Sequence, residues 1–341
     1  MARILVAMSG GVDSSVTAAR LLEAGHSPIG VTLRMGRGCD QLAIEDARRV
    51  AQTLGLEHRV LDVTESFRRK VVSYFVSSYV SGETPNPCAV CNRHIKFKEL
   101  IDLMGEIGAD GIATGHYASV VENRGVYELR KAADRAKDQS YFLSTISYEF
   151  LPHITFPLNS ITKPEVRDYA RRIGLHVANK RESQEVCFIE TDYREFLSRM
   201  PEAQGRGGLV RHVNGDILGK HSGLFNYTIG QRRGLGLAYG KPIFVVNLDR
   251  ETNTVYVGDS DSLYSDRLEI YDLNLLSEIE EGKEYGIKLR SSCREQRGSI
   301  ELLADGSRAL VSLGQPTRAI ARGQLCCLYD GDRVVGSGWI A

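Results

Sequence analysis

Apolar positions in the first part of the chain follow two periods in turn. Arg3-Ile4-Leu5-Val6-Ala7 is a short apolar run suited to a buried strand, and Val16-Thr17-Ala18-Ala19-Arg20-Leu21-Leu22 repeats its apolar residues at helical spacing. The pattern then recurs, with strands predicted over 28–33 and 58–62 and helices over 40–54 and 67–79. Such alternation predicts an α/β doubly wound parallel sheet, with the ligand at the carboxyl ends of the strands. Residues 110–117 read as a further strand ending in a Gly-His-Tyr turn, and 118–122 with 126–129 as a hairpin. Lys163-Pro164-Glu165-Val166-Arg167 opens a helix with proline in its first turn, ending near Gly174.

The texture changes beyond Met200. Glycines become frequent, and short runs over 210–213, 242–248 and 254–257 carry turn signals between them, which is an all-β pattern. From residue 268 onward, runs at 287–290, 300–303, 308–313, 324–329 and 334–340 predict five or six strands. A small closed β-barrel suits them, because closure removes exposed edges. A chain of 341 residues is long for one core. The expected division is a catalytic unit over 1–195, a small mostly-β central unit over 196–262 and a barrel over 263–341. Repeats and low-complexity segments are absent.

Hydrophobic content of 42% and charged content of 25% are ordinary for a soluble globular protein. No apolar run reaches membrane-spanning length and the start is strand-like rather than a leader, so a cytoplasmic protein without a membrane partner is expected. Forty-three basic and forty-three acidic residues cancel, so any nucleic-acid surface must be local. Seven cysteines in such a chain point to buried, catalytic or metal-binding thiols rather than to a disulfide framework.

Candidate chemistry begins in the turn after the first strand, Ala7-Met8-Ser9-Gly10-Gly11-Val12-Asp13-Ser14-Ser15. Gly10 and Gly11 let an anion approach the main chain, where free N–H groups and the positive end of the helix dipole face it. Ser9, Ser14 and Ser15 add hydroxyl donors. A carboxylate beside a phosphate calls for a divalent cation between them, which makes Asp13 a candidate Mg²⁺ ligand. The loop lacks the Gly-Lys-Ser/Thr ending of a Walker motif. Leu33, at the end of the second strand, reads equally as a nucleobase-pocket residue or a plain core leucine.

Thr84-Pro85-Asn86-Pro87-Cys88-Ala89-Val90-Cys91-Asn92 places two prolines within three residues, which predicts a rigid loop with Asn92 capping a helix over 93–107. Cys88 and Cys91 then sit at a helix N-terminus, where the dipole lowers a thiol's pKa; CxxC is also a metal or cluster spacing. Glu182-Ser183-Gln184-Glu185-Val186-Cys187-Phe188-Ile189 adds Cys187, a buried thiol or a functional one. His116 reads as a site residue or as a satisfied structural histidine. Lys137-Asp138-Gln139-Ser140-Tyr141-Phe142-Leu143 opens an apolar helix. Thr228-Ile229-Gly230-Gln231-Arg232-Arg233-Gly234-Leu235-Gly236 offers Arg232 and Arg233 either to phosphates or to solvent. Cys326 and Cys327 point to opposite faces of one strand and, with Cys39 and Cys293, read as structural.

Taken together and in this order, these motifs closely resemble the bacterial tRNA-specific 2-thiouridylases; the first alone marks only the wider PP-loop, or N-type ATP pyrophosphatase, superfamily. The resemblance implies ATP-dependent replacement of the C2 oxygen of the wobble uridine by sulfur. Uridine O2 is adenylated with release of pyrophosphate, and a sulfur nucleophile then attacks C2. ATP contacts are implied for Ala7, Met8, Ser9, Gly10, Gly11, Val12, Asp13, Ser14, Leu33 and Gly115. Contacts to tRNA are implied for His116, Lys137, Asp138, Gln139 and Gln324, and contacts to a flipped-out target base for Asn86, Pro87 and Cys88. The cysteine matching Cys187 carries a persulfide in the family, and the one matching Cys91 helps to free its sulfur.

Many members carry aspartate where this chain has Cys88. Cys88, Cys91 and Cys187 instead resemble the three-cysteine set of PP-loop thiolases, which hold a 4Fe-4S cluster with one open iron that can bind hydrosulfide. Cluster delivery is expected ahead of the persulfide route. The implied partners are a tRNA with a wobble uridine and a sulfur donor, a relay protein or free sulfide. A PP-loop amidotransferase or ligase is the competing enzyme, and a tRNA-binding module with a relict loop the non-catalytic alternative, against which intact Asp13, Ser9 and Ser14 argue.

Overall fold

The computed structural model describes residues 1–36, 40–181, 186–189, 192–203 and 207–341; Cys39 and the Ser183-Gln184 pair lie outside the described residues. The chain begins β1 (Arg3–Ala7), α1 (Val12–Glu23), β2 (Ser27–Arg34), α2 (Asp40–Leu54), β3 (His58–Asp62), α3 (Thr64–Phe67), α4 (Ser73–Val80), α5 (Pro87–Cys91) and α6 (Phe97–Ile107). It continues β4 (Gly111–Ala113), β5 (Ala118–Asn123), β6 (Val126–Lys131), α7 (Ser140–Leu143), β7 (Ile154–Thr155), α8 (Lys163–Arg172) and α9 (Tyr193–Ser198). A parallel sheet runs β3-β2-β1-β4-β7, as the strand–helix alternation predicts. Successive strand residues face opposite sides. Leu5 of β1 therefore enters one core with Phe67, Ile95 and Leu100, while Ile4 and Val6 enter another with Val16, Val50 and Val166.

The cysteine segment departs from expectation. Pro87 and Cys88 are helical rather than looped, and α5 passes through a π-helical stretch, Asn92–Lys96, into α6. Proline is tolerated in a first helical turn, where its missing N–H has no helical partner to lose. The cap is Asn86, not Asn92: its Oδ1 accepts from Ala89 N at 3.2 Å. Asn92 is buried and donates through its amide to the Phe142 carbonyl at 3.0 Å.

A second sheet, ordered β10-β11-β8-β9, joins β8 (Gly208–His212), β9 (Ile217–His221), β10 (Phe244–Asp249) and β11 (Thr254–Gly258) around Val210, Val245, Val255 and Val257. The remaining strands are β12 (Tyr264–Leu275), β13 (Tyr285–Lys288), β14 (Gln296–Leu302), β15 (Arg308–Arg318), β16 (Leu325–Asp330) and β17 (Arg333–Ile340). They run β12-β15-β14-β13-β16-β17, and β17 pairs back onto β12, closing a barrel. In β16, Cys326 and Leu328 face the barrel interior while Leu325, Cys327 and Tyr329 pack into the core of the first unit. The β5–β6 hairpin also leaves the parallel sheet and extends the barrel's sheet, with Arg130 opposite Arg333 and Lys131 N donating to Asp332 O at 2.9 Å.

Candidate active site

The loop after β1 is braced by its own hydroxyls. Ser14 Oγ accepts from Ser9 N at 3.2 Å and donates to Gly11 O at 3.1 Å, and Ser15 Oγ donates to Gly11 O at 2.8 Å. Gly11 caps α1 without a side-chain acceptor, so the positive end of the helix faces the loop unscreened by a cap. The other two glycines serve close packing of the chain on itself. A Cβ on Gly10, at φ +68°, would lie 2.5 Å from the Ala43 carbonyl of α2, and one on Gly115 would lie 2.7 Å from Ser14 N. Behind the loop, Lys180 Nζ donates to Gly10 O at 3.0 Å and to Asp46 Oδ2 at 2.5 Å.

Two cavities meet at this loop and share Ala7, Ser9 and Lys96 in their walls. One, of about 270 Å³, is lined by Met8, Leu33, Met35, Phe67 and Val71, and by Pro87, Cys88, Cys91 and Cys187. The other, of about 310 Å³, is polar, with Asp13, Ser14, Gly115, His116, Lys137, Gln139 and Lys163 on its walls. The structure thus brings three separated cysteines and the loop into one place. Gly10, Gly11, Val12, Asn86 and Asp138 line neither cavity.

Asp13 is held by protein groups. Lys163 Nζ lies 2.6 Å from its Oδ2, and the Tyr117 hydroxyl donates to its Oδ1 at 2.8 Å. The sequence reading missed Lys163 as a site residue, although a signal existed. A lysine in the first turn of a helix opposes the helix dipole and calls for an anionic partner, and the structure buries this one against Asp13. Lys96 was missed too, and it faces both cavities.

The thiols differ from one another. Cys88 opens onto the cavity from within a dense shell of protein, and that desolvation pushes its thiol pKa up; the Lys96 ammonium opposes the shift and the neighbouring Cys187 thiol adds to it. The lowering expected from the helix N-terminus is outweighed, since desolvation penalises the thiolate more than one short helix turn favours it. Cys91 is only 5% exposed and packs with Ala89 and Ile95, whereas Cys187 is exposed. Among the described residues, no group of three or more His, Cys, Asp or Glu side chains is disposed to hold a metal ion. Cys88, Cys91 and Cys187 nonetheless line one cavity.

The other candidates fall into two kinds. His116 stacks on Phe97 with centroids 5.9 Å apart, and its Nδ1 is 2.7 Å from Thr114 Oγ1. Burial, aided by Lys96, pushes its pKa well below 6.5, so it faces the polar cavity uncharged. Gln139 Oε1 accepts from Tyr117 N at 2.9 Å, and Asp138 Oδ1 accepts from Ala132 N at 2.9 Å, so both brace turns. Gln324 donates to the carbonyls of Thr84 and Pro85 at 3.0 and 3.2 Å. Arg233 joins Arg194, Arg290 and Arg318 around a separate cavity of about 420 Å³ with no carboxylate among its lining residues. Arg232 lies apart, beside Tyr239 and Lys241.

Comparison with known proteins places this arrangement. Family models match in succession: a tRNA methyl transferase HUP domain over residues 2–191, a tRNA methyl transferase PRC-barrel domain over 194–259 and an aminomethyltransferase β-barrel domain over 265–340. The tRNA-specific 2-thiouridylase MnmA of Acetivibrio thermocellus is 42% identical over 355 residues, covering 99% of each chain. That of Rickettsia prowazekii is 44% identical, covering 100% of this chain and 99% of its own. The chain belongs to the tRNA-specific 2-thiouridylase family. Its parallel-sheet unit is the PP-loop fold of that family, followed by a middle unit and a β-barrel. Solved structures align more distantly; a 4-thiouridine synthetase in complex with RNA and ATP is 18% identical at a TM-score of 0.39, over 55% of this chain and 45% of that one. Among the described residues, no helix is long and apolar enough to cross a membrane.

Proposed function

We propose that this chain replaces the C2 oxygen of the wobble uridine of tRNA with sulfur, at the expense of ATP. The observation that carries the reading is the shared wall of Ala7, Ser9 and Lys96 between a lysine-lined cavity and a thiol-lined one. Lys96, Lys137 and Lys163 bring positive charge to the phosphate loop. In a site of intermediate dielectric, one such charge about 4 Å from a phosphate oxygen contributes roughly 4 kcal/mol. Because Lys163 and Tyr117 already engage Asp13, Mg²⁺ is taken here as part of the ATP substrate rather than as a resident of Asp13.

The chemistry divides accordingly. Uridine O2 attacks the α-phosphorus, pyrophosphate leaves, and a poor oxygen leaving group becomes AMP. Sulfur must then reach C2 from the thiol side. The persulfide route needs only the thiols that line this cavity. The terminal sulfur of a Cys187 persulfide attacks C2 and expels AMP, leaving the base joined to Cys187 through a disulfide. The Cys91 thiol attacks Cys187 Sγ, forming a Cys91–Cys187 disulfide and releasing 2-thiouridine. An external thiol reductant then resets the pair. Cys88, with its raised pKa, is protonated at neutral pH and serves on the cavity wall as an S–H donor. In this reading residues 1–195 carry the chemistry, while 196–262 and 263–341 hold RNA, with the arginine cavity positioning the phosphate backbone.

The test is a thiolation assay on protein purified without oxygen, with iron and acid-labile sulfide measured on the same sample. Iron-free protein that makes 2-thiouridine and AMP supports the thiol route, whereas activity that tracks bound iron overturns it. Pyrophosphate release that depends on a carboxylate substrate, not tRNA, would indicate a ligase. No tRNA-dependent release at all would leave only a binding module.

A further inference from the structure

The segment that leads into the cysteine helix is held by a turn of the barrel. Gln324 Nε2 donates to both Thr84 O and Pro85 O, at 3.0 and 3.2 Å. Thr84 N donates to Arg322 O at 2.8 Å. The Tyr74 hydroxyl links the two segments, accepting from Asn86 N at 3.3 Å and donating to Gly323 O at 3.5 Å. The approach is close enough that Gly323, at φ +81°, has no room for a side chain: a Cβ would lie 3.0 Å from Glu83 Cβ and 3.2 Å from Thr84 O.

The sequence explains why outside help is needed. Pro85 and Pro87 lack N–H groups, so only the Thr84 and Asn86 amides can anchor the segment 84–87, and its carbonyls need donors from elsewhere. Asn86 sits between the prolines and caps α5 through Ala89 N. Cys88 and Cys91 lie in that same helical turn. The place of Asn86 thus sets the start of α5, and the start of α5 sets the two thiols.

We infer that Gln324 is a positioning residue for Cys88 and Cys91, acting through Asn86 and α5, and that the barrel is thereby part of the catalytic assembly. This rests on the thiol chemistry proposed above. It differs from the direct RNA contact that the family resemblance implies for Gln324, and the two roles separate experimentally.

Gln324→Met keeps the length of the side chain and removes both donors. In full-length protein without ATP or RNA, iodoacetamide labelling is followed residue by residue, with exposed Cys293 as the internal reference. Cys91 labelling relative to Cys293 is expected to rise about fivefold, a little over twofold for each of the two lost hydrogen bonds on a local opening equilibrium. The tRNA Kd is expected to stay within about twofold, while kcat for thiolation falls about tenfold with KM for tRNA unchanged, as misplacement of a reacting group requires. Gln324→Lys, which restores a donor, should restore protection of Cys91. If Gln324→Met does not fold by circular dichroism, Tyr74→Phe carries the same readouts, with a labelling rise of about twofold. Unchanged Cys91 labelling together with weakened tRNA binding overturns the inference. Failure of the wild-type protein to make 2-thiouridine would instead overturn the proposed function, leaving the labelling result to stand or fall separately.

Discussion

The two cavities beside the phosphate loop share three wall residues and differ in almost everything else. One presents apolar side chains and three thiols; the other presents Asp13 and three lysines. The difference follows from where each wall originates. The thiol wall is a helix start and a distant turn folded over the end of β2, so it is built from core-like residues. The polar wall is the turn after β4 and the first turn of α8, where backbone and charged groups converge on the N-terminus of α1. A single cavity could not serve both purposes, since phosphates need fixed charge and a sulfur nucleophile loses reactivity to bulk water. In the proposed reaction, adjacency lets activation and attack meet at one carbon, each in its own medium.

The largest expected effect comes from Cys187→Ala, which should lower 2-thiouridine formation by about three orders of magnitude or more while tRNA-dependent pyrophosphate release persists and AMP stays joined to the uridine. Loss of both activities together would break the division of labour. Lys163→Met should do the opposite: pyrophosphate release falls roughly a hundredfold, in the range of a removed electrostatic stabiliser, while iodoacetamide labelling of Cys187 is unchanged. Replacing Arg233 and Arg318 with glutamine should touch neither cavity. Binding of tRNA should weaken for all sequences alike, and the slope of log affinity against log salt should fall by roughly 0.7 to 0.9 per arginine, read by titration at several salt concentrations.

The smallest effect is on stability. His116 is kept neutral in the folded state well below its ordinary value of 6.5, so between those limits the unfolded chain binds a proton that the folded chain refuses. Its contribution is complete above pH 6.5 and is lost as pH falls below it, by at most about 1.4 kcal/mol per pH unit. Denaturant midpoints for wild type and His116→Gln should therefore converge toward pH 5, having been furthest apart near pH 7.

What could be read beforehand was local. The strand–loop–helix at the start, the hairpin at 118–129 and the alternation of Cys326 and Cys327 follow from spacing within a few residues, and each is found. Cys327, fully buried with its pKa pushed up to about 12, is an inert core thiol as its strand position implied. What escaped depends on distant partners. Lys163 meets Asp13 across 150 residues and Gln324 meets Thr84 across 240, and neither contact leaves a periodic trace. Pro87 misled because proline breaks helix interiors but not helix starts, and only the position of Asn86 separates the two cases. Strand β9 was missed because Ile217, 59% exposed, blurs the alternation of a short run. Burial reversed the expected shift at Cys88, and burial is a property of the whole fold.

The most direct measurement is a single-turnover reaction of sulfur-loaded protein with ATP and a tRNA carrying a wobble uridine, quantifying pyrophosphate and 2-thiouridine in the same sample. For the wild type, the two should appear in a one-to-one ratio; for Cys187→Ala, pyrophosphate should appear without 2-thiouridine; for Lys163→Met, both should fall together. Pyrophosphate release that persists in Lys163→Met, or that vanishes in Cys187→Ala, would contradict the assignment of activation to one cavity and sulfur transfer to the other.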